Sequence, residues 1–321
     1  MPAWLEDWAI LSPLIITLSA WGYVALERLL PHDRGQKLFR KGWFNDFFLY
    51  SIAQSYVLGL VIAELIAFID TSTGWSRLGL VSGWPIWAQL VFFTVSHDLY
   101  IYAFHRLQHK SPILWRIHEA HHSVENVDWL AGSRSHALEI LINQTIEFAP
   151  IVLLGAPPEV ALMKGTIDAV WGMFIHSNID VSLGPLRKII NGPRLHRWHH
   201  SLHYEGAGFN YGTKLAIWDF LFGTAHDTEE KPVAYGLEEP FPEGYVAQQL
   251  YAFRPLSSSR GELERRGSGK AQRDPIDAGG AELTVAPGEV GVVERRGVVV
   301  EEEVVVSHRP DARETGVAVR R

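Results

Sequence analysis

The sequence predicts an all-α fold, a helical membrane protein with several spans. A helix crosses a bilayer with roughly 17–25 apolar residues. Five stretches approach or exceed that length, and they are residues 8–30, 44–69, 84–104, 138–154 and 159–175. None of the 321 residues is cysteine, while 12 of the 15 histidines fall between His97 and His203. Disulfides, iron–sulfur clusters and thiolate sites are therefore excluded, and a metal would be held by histidine or carboxylate.

The loop after the first span sets the predicted orientation. Residues 31–42 contain four basic side chains, those of Arg34, Lys37, Arg40 and Lys41, and loops rich in Lys and Arg stay in the cytoplasm. The last two apolar stretches are short and joined by Gly-Ala-Pro-Pro, which fits two spans or a hairpin that dips into the bilayer. Either way, counting spans places residues 105–122 and 196–203 on the cytoplasmic side.

Composition divides the chain into four parts. Residues 1–83 are the N-terminal spans, 84–235 are a membrane and cytoplasmic core that holds the histidines, and 236–255 are a short C-terminal segment. Residues 256–321 contain no Phe, Trp or Tyr, too little apolar surface to offset the entropy of ordering, so we expect a disordered tail. The net charge of −7 argues against nucleic acid as a partner.

Three blocks of histidines have the spacing of a helix face. Side chains three or four positions apart lie on one side of a helix. The members are His105 and His109 in the first block, His118, His121 and His122 in the second, and His196, His199 and His200 in the third. One ion usually takes four to six ligands, so these eight imidazoles predict two metal ions.

The metal is inferred from the surroundings of the blocks. Imidazole suits zinc, copper, iron and nickel, and ligand type alone does not choose among them. A dinuclear site of histidines beside apolar spans is suited to O₂-dependent oxidation of an unactivated C–H bond. Because zinc has no redox chemistry, the pattern favours iron.

Two other classes of protein fit part of the pattern. The second block, "HEAHH", matches the zinc-protease motif H-E-x-x-H, in which the glutamate is the general base. The third block has the same spacing with Arg197 in place of Glu119, and a protease would leave five block histidines without a role. A histidine-rich metal transporter would hold its ligands within the spans, whereas most of these lie in polar segments. Metal content and peptidase activity would separate the three.

In their order and flanks, the blocks resemble the fatty acid hydroxylase and sterol desaturase superfamily of membrane di-iron oxygenases. The similarity covers residues 90–230 and includes "DLYIYAFHRLQH", "LWRIHEAHHS", "FIHSN" and "NYGTKLAIWDFLFGT". It implies a cytoplasmic helical cap that holds two non-haem irons, with O₂ as co-substrate. It also implies hydroxylation or desaturation of a membrane lipid, such as a sterol, a fatty acyl chain or an alkylglycerol-like ether lipid. Electrons would come from a separate reductase or carrier on the cytoplasmic face.

The resemblance carries the metal-ligand role onto the eight block histidines and onto two further residues. His176 is similar to another ligand position of the family. His136 stands where members often have R-x-H-P-x-E, although Ala137 replaces the proline here. Acidic residues near the blocks are expected to orient ligand imidazoles through their second ring nitrogen, and they are Asp98, Glu119, Glu139 and Asp219.

Three residues inside the predicted spans are also singled out. Ionisable groups in a span are functional candidates by default, which applies to Glu64 and Asp168; the alternative is that each pairs with a buried polar neighbour. His97 lies eight residues before His105 on the same predicted helix. We expect it to be structural or to orient a ligand.

Overall fold

The computed structural model describes residues 7–202 and 208–255, together with the backbone of four short strands further along the chain. Residues 7–202 and 208–255 are helical wherever they are regular, with a π-helical segment, Asn45–Gln54, that continues into α2. The α-helices of this part are α1 Trp8–Leu29, α2 Ser55–Thr73, α3 Ile86–Lys110, α4 Pro112–His122, α5 Ala137–Leu153, α6 Pro158–His176, α7 Pro193–His199, α8 Ile217–Leu221 and α9 Tyr245–Tyr251.

The four strands form two antiparallel pairs. β1, Val293–Arg295, pairs with β2, Val298–Val300, and β3, Val304–Val305, pairs with β4, Ala318–Val319. The predicted disorder of residues 256–321 otherwise lies outside the described residues.

All five apolar stretches are helices, with bounds close to those expected from the sequence. The largest difference is at α3, which runs past the predicted span to Lys110. It ends there because Ser111 precedes Pro112, a position that disfavours the helical conformation. Ser111 then accepts the N–H of Leu114 and caps α4, with Pro112 in its first turn. The first two histidine blocks thus lie on consecutive helices.

Two helices are long and apolar enough to cross a membrane, namely α1 and the continuous helix Asn45–Thr73. Their outer faces carry large exposed apolar side chains such as Trp21 at 69%, Tyr56 at 69% and Phe68 at 70% exposure, as expected for contact with lipid. The other three expected spans coincide with α3, α5 and α6, whose interior positions include charged side chains. Their membrane crossing stays a prediction.

The helices pack so that α3, α5 and α6 lie together. Each of these three contacts the other two, while α1 packs on α6 and α2 on α5. A small apolar core, built from Val81, Phe93, Ile151 and Val160, lies away from the histidines. The first histidine block lies at the end of α3, the second on α4, and the third on α7 and the residue after it.

Buried ion pairs fasten the loops around the blocks. Asp46 is fully buried; it accepts from Arg134 at 2.7 Å and 3.0 Å and pairs with Arg40 at 2.8 Å. Arg40 also pairs with Asp128 at 2.8 Å. These contacts tie the first loop and the start of the second span to the loop between α4 and α5.

We expect Asp46→Asn to destabilise the protein by about 3 kcal/mol or more, because two buried guanidinium groups would lose a charged partner. Thermal unfolding in detergent measures the effect. The control is Glu243→Gln, which removes one charge from the exposed pair Lys41–Glu243 and should cost less than about 1 kcal/mol. Equal small losses for the two variants would contradict this account of the loop contacts.

Candidate metal centre

Nine buried histidines converge in two groups. Within each group, one ring nitrogen from every member lies within 4.8 Å of the others. The first group consists of His105, His109, His118, His122 and His199, and the second consists of His121, His176, His196 and His200. The second block, on α4, and the third block, on α7, each contribute histidines to both groups. The two groups therefore share their supporting helices.

Five of these imidazoles have a fixed protonation pattern, because their Nδ1 atom lies against an oxygen that can only accept. Four face main-chain carbonyls and one faces a carboxylate. The contacts are His105 to Tyr211 at 2.9 Å, His121 to Arg134 at 3.1 Å, His176 to Gly172 at 2.7 Å, His199 to Phe209 at 2.8 Å, and His118 to the Glu139 carboxylate at 2.8 Å. In the neutral ring Nδ1 therefore carries the proton, and Nε2 carries the lone pair.

The Nε2 lone pairs then face one another. The Nε2 atoms of His105 and His118 are 3.0 Å apart, and those of His121 and His176 are 3.2 Å apart. In neither pair is a proton left on Nε2, so the contact is not a hydrogen bond. Two opposed lone pairs repel, and a cation between them would turn the repulsion into coordination. The donor set thus fits a metal site, with neutral imidazole as the ligand.

Burial keeps these rings in the ligand form. Desolvation, the largest cause, and the neighbouring histidines together lower the pKa of His105, His118, His121 and His176 to about 3. The pKa values of four others also lie well below the ordinary value for the same reasons, and these are His122, His196, His199 and His200. A metal ion would not have to displace a proton from these rings.

Two carboxylates hold the segment that positions His105 and His199. Asp219 accepts the N–H groups of Tyr211 and Gly212 at 2.8 Å and 2.7 Å. Asp98 accepts the N–H groups of Lys214 and Leu215 at 2.8 Å and 3.0 Å. These bonds hold residues 209–215, whose carbonyls at 209 and 211 receive the imidazole protons.

Comparison of the sequence with known proteins identifies the family of this chain. The family model described as fatty acid hydroxylase matches residues 90–224, a range that contains all nine histidines. The ornithine lipid hydroxylase OlsE of Rhizobium tropici is 31% identical over 264 residues, which are 78% of this chain and 78% of that protein. The chain belongs to the fatty acid hydroxylase family.

Two further relatives match over shorter ranges. Human alkylglycerol monooxygenase is 35% identical over 143 residues, 44% of this chain and 32% of that protein. Methylsterol monooxygenase 1 of Rattus norvegicus is 31% identical over 163 residues, 49% of this chain and 52% of that protein. No solved structure gives a significant match. Membership makes the chain an oxidoreductase of the lipid hydroxylase and monooxygenase class.

The other candidates from the sequence occupy different places. His136 lies outside both groups; its Nδ1 accepts the N–H of Leu138 at 3.1 Å and caps α5, while its Nε2 contacts the carbonyl of Gln249 at 2.9 Å. His97 lies beside Lys164, His203 lies outside the described residues, and Glu64 is exposed on α2. Of the four acidic residues expected to orient imidazoles, Glu139 contacts one directly.

Sequence reasoning missed a glycine that gives His176 its space. A Cβ atom at position 132 would come within 2.6 Å of His176 Nδ1, closer than side-chain atoms pack. Gly132 therefore lets the loop between α4 and α5 pass against the imidazole. The signal in the sequence is only a glycine in "LAGSR", which matches no motif.

Glu119 is held by an arginine from the C-terminal segment. Its two carboxylate oxygens accept from the two terminal nitrogens of Arg254, each at 2.7 Å, and the carboxylate is buried. A general base has to reach the proton that it abstracts, whereas this carboxylate fastens the end of α9 to α4. The geometry therefore gives Glu119 a structural role.

We expect Glu119→Gln to lower stability by about 3 kcal/mol, because the Arg254 guanidinium loses a largely buried partner, and to leave the bound metal per chain unchanged. Thermal unfolding and elemental analysis measure the two quantities. Glu125→Gln, at an exposed position one turn beyond α4, is the control and should change neither. Loss of metal in Glu119→Gln alone would contradict the structural role.

Proposed function

We propose that the chain is a membrane-bound non-haem di-iron oxygenase that hydroxylates or desaturates a lipid. The observation that supports it best is the set of Nε2 lone pairs that converge in two groups, held by Nδ1–H bonds to protein oxygens. The five-histidine group would hold one iron and the four-histidine group the other. Bound there, the irons would supply the redox chemistry by which O₂, two electrons and two protons convert a C–H bond to C–OH and release water.

The protein supplies a cavity in which the substrate carbon would be held. A cavity of about 220 Å³ is lined by five histidines drawn from both groups and by apolar side chains of the helices. The apolar lining includes Ile101 and Phe104 of α3, Ile140 of α5 and Ile175 of α6. These side chains would exclude water and orient the carbon toward the histidines. Hydroxylation or desaturation would follow from how that carbon is placed.

The arrangement in the cell is also part of the proposal. The basic loop at residues 31–42 favours a multi-pass protein with the histidines on the cytoplasmic side. The lipid would enter from the bilayer between the helices, and a separate reductase or electron carrier would dock on the cytoplasmic face. The match to the ornithine lipid hydroxylase covers 78% of both chains, so an aminolipid is the first substrate to test, ahead of alkylglycerols and methylsterols.

The experiment combines metal analysis with lipid profiling. Purified protein reconstituted with ferrous iron should hold two irons per chain, and His199→Ala should lower that number because it removes a ligand. His136→Gln is the matched control, since His136 lies outside both groups, and it should keep two irons. Lipids from cells with active protein should show a gain of one oxygen atom or a loss of two hydrogens.

Two results would contradict the proposal. A single zinc per chain, with peptidase activity abolished by Glu119→Gln, would indicate a metalloprotease. Metal transport into vesicles, with no oxidised lipid, would indicate a transporter.

A further inference from the structure

A cluster of charged side chains is buried between α3, α5 and α6, apart from the nine histidines. Lys164 is fully buried, and its Nζ lies 2.7 Å from Asp168 Oδ2, 3.0 Å from Glu147 Oε1 and 3.3 Å from His97 Nδ1. Lys214 Nζ lies 3.0 Å from the same Asp168 oxygen. Such groups are costly to bury, and the proposed oxidation chemistry gives them no task.

The cluster is not a third metal site. His97, Glu147 and Asp168 do bring one ligand atom each to within 4.8 Å of one another. However, the Lys164 ammonium already lies within hydrogen-bond distance of all three. The cation that these acceptors bind is a lysine side chain.

The cluster and the histidine groups line one cavity. Its walls include His97, Glu147, Asp168 and Lys214 as well as five of the histidines. His97 precedes His105 by eight residues on α3, and Asp168 precedes His176 by eight residues on α6. Eight residues of helix span about 12 Å, so the charged end lies on the order of 12 Å from the histidine end along both helices.

The charged end has polar atoms without a partner. Among the described residues, His97 Nε2, Asp168 Oδ1 and Trp171 Nε1 are buried and make no hydrogen bond, and all three residues line the cavity. His97 is only 8% exposed. Asp168 Oδ2 already pairs with Lys164 and Lys214, whereas Oδ1, a carboxylate oxygen that accepts, is left for a donor of the occupant. An ammonium forms the strongest hydrogen bond with a carboxylate, so the free oxygen favours an occupant with an ammonium.

We propose that this end of the cavity binds the headgroup of the lipid substrate, and that the headgroup carries a primary ammonium together with a carboxylate or amide. Asp168 Oδ1 accepts from the ammonium, and Trp171 Nε1 donates to the carboxylate or amide oxygen. A hydrocarbon chain would leave these groups unpaired, whereas the hydroxyl of a glycerol or a sterol would meet Asp168 without the positive charge of an ammonium. The inference rests on the proposed function and narrows its substrate to zwitterionic aminolipids oxidised within about 12 Å of the amine.

The test is a binding measurement on the full-length protein in nanodiscs, with and without iron. The probes are N-palmitoyl-ornithine and N-palmitoyl-norvaline, which share the acyl chain and the carboxylate and differ by the side-chain amine. The wild-type protein should bind the ornithine compound at least about tenfold more tightly, a discrimination typical of a hydrogen bond to a charged group. Equal binding of the two probes by the wild type overturns the inference.

Variants assign the discrimination to particular residues. Asp168→Asn should abolish the preference for the amine. Glu159→Gln, which also replaces a carboxylate with an amide but at an exposed position of α6, should keep it. Trp171→Phe retains a ring and removes the N–H, so both probes should bind several-fold more weakly with the preference intact. An unchanged preference in folded Asp168→Asn, or unchanged affinities in Trp171→Phe, would overturn the assignment of that residue.

The two proposals fail in different ways. Two irons and an oxidised lipid, without any preference for the amine, would contradict the headgroup site and support the oxygenase. A preference for the amine in a protein that holds no iron would contradict the oxygenase and support the headgroup site.

Discussion

Five imidazoles donate their Nδ1 proton to an oxygen of the protein, and the rest of the histidine site depends on that constraint. Because Nδ1 donates to carbonyls at positions 134, 172, 209 and 211 and to Glu139, the Nε2 lone pairs point inward. Much of the surrounding structure serves to place those acceptors. Asp98 and Asp219 hold the segment 209–215, and Gly132 leaves room for the ring of His176.

The distribution of polarity follows from the same site. The outer faces of α1 and α2 are apolar and exposed, while the space between α3, α5 and α6 holds histidines, lysines and carboxylates. Several buried charges have a partner of opposite sign, such as Arg40 and Arg134 for Asp46 or Lys164 for Glu147. The polar interior also explains why α3 and α6 are less apolar than α1. A cavity with histidines at one end and ions at the other suits a lipid that is amphipathic over a short distance.

Much of the fold and of the site could be predicted from the sequence, because the signals were local. Apolar length predicted the five long helices, and spacings of three and four placed the histidines of each block on one face. The division of the α4 and α7 blocks between two groups could not be predicted, since it depends on how the helices cross. The carbonyl acceptors were also hidden, because a main-chain oxygen has no residue type that identifies it.

Two further differences between the expectations from the sequence and the structure also depend on information that residue type alone does not carry. His136 has the residue type of a ligand, but its ring caps α5, a role set by the position where that helix begins. Asp168 was singled out as an ionisable residue of a span, whereas Glu147 and Lys164, its neighbours in space, lie 21 and 4 residues away in the sequence. The cluster that they form with His97 was visible only after α3, α5 and α6 were packed together.

The most direct test of the central claim is anomalous diffraction at the iron edge from crystals of the iron-loaded protein. The account predicts two peaks, one surrounded by the Nε2 atoms of the five-histidine group and the other by those of the four-histidine group. A single peak, or peaks located at the Nδ1 side of these rings, would contradict it.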